Sequence, residues 1–266
     1  MGSKAAQSKV SPQQQAQPTT QQPQKQQQKQ PQPTQQQAAP AWLAPLQRGM
    51  GLQQANRWAE AVAAYRESLA LATSFRSDGE RVQVLYTANT NLGLALQNVD
   101  QPAEAVTAFD AALEAVPENG DGHHNRANAL YKSGRHADAA KAYARAIELT
   151  PTDGESYFGL GNAHDKLGEA EQAASAFAST LALDPTDSSA MYNLANAYRT
   201  LGRTGEAVGH YRGALKATPR NAAMHANLGH TLDASGAFSE AASSFTTALS
   251  IAPKDVATYT ALGHTY

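Results

Sequence analysis

"SSAMYNLANAYRTLGRTGEAVGHYRGALKATP", residues 188–219, holds two apolar stripes separated by a stop. In the first half Met191, Leu194 and Tyr198 recur at spacings of three and four, the interval that places side chains on one face of an α-helix. Gly202 then stands where a chain leaving a helix adopts a left-handed backbone. In the second half Ala207, Tyr211 and Ala214 form another stripe, and Pro219, which has no N–H to donate, ends it. The stretch predicts two helices joined by a tight turn.

The same arrangement recurs along the chain. Prolines fall at 117, 151, 185, 219 and 253, each 34 residues after the last. Alanines at 105, 139, 173, 207 and 241 keep that period, and so does a ring at Phe109, Tyr143, Phe177, Tyr211 and Phe245. Gly134, Gly168 and Gly236 repeat the stop of Gly202. Gly161, Ala195, Gly229 and Gly263 share a register on the first helix, where a minimal side chain lets the ring of the second helix fill the space beside it. Coincident registers at one period describe an array of supersecondary units, each burying its apolar faces against its neighbours.

These residues closely resemble the tetratricopeptide repeat. Tyr157, Leu160, Gly161, Gly168, Ala173, Phe177 and Pro185 follow its pattern in one unit, as do Met191, Leu194, Ala195, Tyr198, Gly202, Ala207, Tyr211, Ala214 and Pro219 in the next. The resemblance implies an all-α fold of helix-turn-helix repeats stacked into a right-handed superhelical solenoid over 41–266. Repeats are expected near 42–75, 86–119, 120–153, 154–187, 188–221 and 222–255, with a partial unit at 256–266. Ala61 and Ala105 lie 44 apart, so "RSDGERVQVL" (76–85) is an insertion of ten residues. It is expected to lengthen the helices it connects, since no turn signal follows Gly79.

Residues 1–40 differ in kind. Gln, Pro, Lys and small residues dominate, offering little to bury, and a disordered Gln/Pro-rich leader is expected. Its four lysines face no acid, leaving 17 basic against 23 acidic residues in 41–266, a net of −6. That balance argues against nucleic-acid binding by the folded part. The absence of cysteine removes disulfides and thiol chemistry, and no apolar run has the length of a signal peptide or membrane span. The expectation is an intracellular protein, cytoplasmic or nuclear, without membrane attachment.

No catalytic motif is present: there is no phosphate-binding Gly-rich loop followed by Lys-Ser or Lys-Thr, no Gly-x-Ser-x-Gly and no His-Glu-x-x-His. His230 and His264 share a register one repeat apart, too far for one coordination sphere, and neither metal nor cofactor is expected. Function then falls to the face built from the first helices. Asn91, Asn125, Asn193 and Asn227 occupy the sixth register and Asn128, Asn162 and Asn196 the ninth, with His230 following there. An amide offers donor and acceptor together, so such files suit the backbone of an extended peptide. Tyr192 at the fifth register, Arg199 at the twelfth and Lys132 beside it complete the candidate groove, with His124, Phe158 and Tyr131 as further members.

The sixth-register file resembles the asparagine ladder of O-linked N-acetylglucosamine transferases, broken here by Gly159 and Ala261. The reading is a non-enzymatic scaffold that binds an extended peptide or partner protein in its concave groove. A homo-oligomer or multiprotein complex is compatible with it. The alternative is a substrate-recruiting arm of a larger enzyme, such as one of those transferases, cut at Tyr266.

Overall fold

Two residues beyond each repeat proline stands an Asn or Asp, and these residues start the helices. In the computed structural model, which describes residues 39–265, the side chains of Asn119, Asp153, Asp187, Asn221 and Asp255 accept backbone N–H bonds from the turn that follows. An oxygen at this position satisfies a donor that the first helical turn leaves without an internal partner. The leader expected over residues 1–40 lies, except for its last two residues, outside the described residues.

The described chain is all α: α1 (Leu43–Gln54), α2 (Trp58–Leu71), α3 (Asp78–Asn98), α4 (Pro102–Ala115), α5 (Gly120–Lys132), α6 (His136–Leu149), α7 (Gly154–Leu167), α8 (Ala170–Leu183), α9 (Ser188–Thr200), α10 (Thr204–Ala217), α11 (Ala222–Ala234), α12 (Phe238–Ile251) and α13 (Val256–Thr265). Each odd helix pairs with the even helix after it, and each pair stacks on the next; odd helices also touch across adjacent pairs. The ten additional residues go mainly to α3, which has 21 residues where α5 and α9 have 13.

Within a pair the turn is set by a left-handed residue. Gly134, Gly168, Gly202 and Gly236 have φ between 72° and 80°. The first two pairs make the same turn without glycine, using Asn56 (φ 55°) and Asp100 (φ 58°), residue types whose short polar side chains tolerate that conformation.

The core repeats one contact. Tyr65, Phe109, Tyr143, Phe177, Tyr211 and Phe245 are buried to 2% exposure or less. Each ring comes from an even helix and faces the small residue of its odd partner. A Cβ added to Gly49, Gly93, Gly161 or Gly229 would lie 2.6 Å from the Cε1 of Tyr65, Phe109, Phe177 or Phe245 respectively, far inside van der Waals contact. At 127 and 195 that residue is alanine, so Tyr143 and Tyr211 cannot take the same pose. Their hydroxyls show the change. Tyr65 Oη reaches Gln53 at the twelfth register (2.8 Å), whereas Tyr143 and Tyr211 donate to Asn128 and Asn196 at the ninth, both at 2.5 Å.

Candidate functional site

The amides of the odd helices fall into two groups. In the later repeats they bond one another across pairs: Asn193 Nδ2 on α9 donates to Asn162 Oδ1 on α7 at 3.1 Å, and Asn227 Nδ2 on α11 reaches Asn196 Oδ1 on α9 at 3.4 Å. The sixth register of one repeat thus meets the ninth register of the repeat before it. Asn227 Nδ2 also donates to Tyr192 Oη at 2.9 Å, and the Tyr192 ring lies 5.9 Å from that of Tyr211.

The earlier repeats lack this pairing because the ninth register holds Met50 and Leu94 there, neither of which carries an amide. Asn91 and Asn125 are half-buried, and among the described residues their side chains have no hydrogen-bond partner. The Asn125 backbone carbonyl does accept from Gln97 Nε2 at 3.2 Å. These two amides are therefore open to an added acceptor or donor. His230 is exposed and sits edge-on to Phe245, with ring centroids 5.0 Å apart. Arg199 and Lys132 are exposed near the ends of α9 and α5.

Gly159, which interrupts the sixth-register file, lines a cleft. The cleft, of about 790 Å³, opens between the third and fourth repeats, lined by residues of α5 to α8 and by the turns before α7 and α9. With no side chain at 159, Asn128 has no amide neighbour on α7. A different network holds the two repeats together. Tyr143 Oη donates to Asn128 Oδ1, and Asn128 Nδ2 meets His124 Nε2 at 2.8 Å. His124 Nδ1 lies 2.8 Å from Ser156 Oγ, which in turn donates to Asp153. The donors and acceptors are consistent when His124 is neutral with its proton on Nδ1, accepting at Nε2 and donating to Ser156. Burial pushes the Tyr143 phenol above its ordinary value, so it stays a donor.

The rest of the cleft is aromatic and acidic. Phe158 and Tyr131 present rings, Phe158 standing 5.6 Å from the Phe177 ring behind it. Asp153, Glu155, Asp184 and Asp187 supply carboxylates, and no Lys or Arg lines the space. The sequence placed His124, Asn128, Asn162, Phe158 and Tyr131 on this face. It did not bring forward Asp153, Asp184 and Asp187, which belong to turns; the signal for Asp153 and Asp187 was the recurrence of Asp or Asn two residues after the proline, whereas Asp184, just before Pro185, belongs to no such series. Among the described residues no group of three or more His, Asp and Glu is placed to hold a metal ion, and no helix is long and apolar enough to cross a membrane.

Comparison with known proteins agrees with this architecture. Among solved structures, MamA superposes with a TM-score of 0.61 at 23% identity, covering 64% of this chain and 93% of that one. YrrB, described as a TPR protein with an unusual peptide-binding site, also gives 0.61 at 19% identity, over 65% of this chain and 90% of its own. MamA from Desulfovibrio magneticus RS-1, from residue 41 to its end, gives 0.61 at 17% identity, over 65% and 97%. At these identities the likeness is one of fold. No protein of curated function matches the sequence. The family model of the tetratricopeptide repeat matches residues 90–154, 158–222 and 192–256, more than half of the chain. With the 34-residue period, the paired helices and the ring-on-small-residue contact already in place, the chain belongs to the tetratricopeptide repeat family.

Proposed function

We propose that this protein is a non-catalytic scaffold that binds an extended segment of a partner protein along the face formed by its odd-numbered helices, with the cleft between the third and fourth repeats as anchor. The observation that carries this reading is the cleft itself: a concavity of about 790 Å³ walled by rings and polar groups, with the unpaired amides of Asn125 on α5, one of the helices that line it, and of Asn91 on α3, one repeat earlier. A side chain seated in the cleft fixes the register of a peptide. Asn125 and Asn91 then offer a donor and an acceptor to the peptide backbone without selecting its side chains. YrrB, a distant relative in fold, is described by its peptide-binding site, and this supports the same use of the architecture here.

The amides of Asn162, Asn193, Asn196 and Asn227 act in this reading chiefly as ties between repeats, each keeping spare bonding capacity toward the groove. The test is selection of displayed random peptides on the full chain, followed by measurement of the selected sequences against two variants. Phe158→Ala and Asn125→Ala are each expected to weaken binding at least five-fold with unchanged helical signal. Selected peptides that bind both variants as well as the parent chain would place the interaction elsewhere.

A further inference from the structure

We propose that the anchor position of the cleft takes a cationic side chain, so that the partner segment carries a lysine or arginine there; this rests on the peptide-binding reading above. The cleft holds four carboxylates, from Asp153, Glu155, Asp184 and Asp187, with rings from Phe158 and Tyr131 alongside. What matters is how those carboxylates are already engaged. Asp153 accepts from the Ser156 backbone N–H at 3.1 Å and from its hydroxyl. Asp184 accepts from the Thr186 N–H and hydroxyl at 2.9 and 2.7 Å. Asp187 accepts from the backbone N–H groups of Ser189 and Ala190 at 2.8 and 3.1 Å. Every one of these donors is neutral.

The negative charge is therefore held in place and left uncompensated. The ionisable base nearest to it is His124, 3.5 Å from Asp153 and 3.9 Å from Glu155, and the bonds to Asn128 and Ser156 fit its neutral form. Hydrogen bonds from Thr186 hold the Asp184 carboxyl below its ordinary value, which keeps it ionised.

Helix capping accounts for Asp153 and Asp187 but not for the other two. Glu155 leaves 89% of its side chain exposed over the cleft, and among the described residues nothing donates a hydrogen bond to it; His124 Nε2, 3.9 Å away, is the acceptor for Asn128. Asp184 follows α8 and serves only a local turn. A neutral or acidic peptide leaves these charges facing nothing. A lysine or arginine side chain meets them with its head while its methylene stem lies along the Phe158 and Tyr131 rings, where the negative ring faces attract it as well. The net of −6 over residues 41–266 adds steering of the same sign.

The experiment uses the full chain and three fluorescently labelled probes of equal length: hexalysine, hexalysine acetylated on every side chain, and hexaglutamate. Binding is followed by anisotropy at low and at physiological salt. Hexalysine is expected to bind at least ten-fold more tightly than the other two. Glu155→Gln combined with Asp184→Asn is expected to remove most of that margin, while Glu114→Gln, on α4 outside the cleft, leaves it intact. Equal loss in the Glu114 variant would mean diffuse attraction and overturn the proposal, as would unchanged hexalysine binding in the double variant. Tighter binding of the acetylated or acidic probe, weakened by Phe158→Ala, would overturn the cationic preference while leaving the peptide groove standing. Failure of all three probes, with displayed peptides that bind in a Phe158-dependent way yet carry no basic residue, would do the same.

Discussion

The ring of Tyr143 occupies the space that any side chain on Gly159 would need: a Cβ built there would lie 2.4 Å from both Cε1 and Cζ. The two residues belong to adjacent repeats, so this contact sets how closely α6 and α7 approach. It follows from two departures made together. Ala127 stands where the other early repeats have glycine, which displaces Tyr143, and glycine stands where the file has asparagine, which receives it.

Completing the asparagine file should therefore do harm. Gly159→Asn is expected to destabilise the protein by about 1–3 kcal/mol through overpacking, although Asn is the better helix residue. Gly51→Ala provides the contrast, since a Cβ there meets nothing within 4 Å. It should stabilise by about 0.5–1 kcal/mol from helix propensity alone. Denaturant melts of the two variants check both signs, and a neutral Gly159→Asn would mean that the repeats separate at no cost.

The two groups of asparagines should separate experimentally. In a double-mutant cycle on Asn162 and Asn193, the coupling from their mutual bond is expected at about 0.5–1.5 kcal/mol. Asn125→Ala should leave stability unchanged or slightly raised, because no partner in the fold loses a bond. Absence of coupling at 162 and 193, with a melting loss at 125, would reverse the assignment.

Truncating one ring should act locally. Phe177 is 1% exposed, and Phe177→Ala is expected to cost about 3–5 kcal/mol. Because each pair leans only on its neighbours, hydrogen exchange should rise from α7 to α9 and little beyond. Uniform loss of protection along the chain would show cooperativity that nearest-neighbour packing does not provide.

Alkaline conditions should weaken the fold. Burial raises the phenol of Tyr65 to about 12 and those of Tyr143 and Tyr211 in the same direction. The native chain then keeps protons that the unfolded chain releases near its ordinary value of about 10. This contribution is complete below about pH 10 and is lost as pH rises toward the folded values. Tyr143→Phe should lower stability near neutrality by about 0.5–1.5 kcal/mol, the bond to Asn128, and should flatten the fall between pH 9 and 11. Thermal melts across that range check it; parallel curves for the two proteins would exclude Tyr143 as a contributor.

The period, the ring register and the turn glycines were legible in the sequence because the third to sixth units repeat them in succession, and because their roles concern one helix and its immediate partner. Asn56 and Asp100 were harder: they make the glycine turn with a different residue type. The asparagines show where legibility ends. Register assigns Asn193 and Asn196 to a face, but whether each amide meets a peptide or another amide depends on what stands at another register one repeat away. The acid at 153 was hidden for a related reason, since one carboxylate both starts α7 and borders the cleft.

The nearest-neighbour stacking gives this chain the arithmetic of equal links. Excising residues 188–221 brings α8 against α11, where Asn227 takes the sixth register that Asn193 now holds, so that Asn162 regains an amide across the new joint. Removing half that length instead sets two helices of the same kind face to face, with a ring opposite a ring and no small residue to receive either. A shortened molecule should thus fold when the cut is one whole period and fail when it is half of one, so the unit of inheritance in this protein is a length rather than a site.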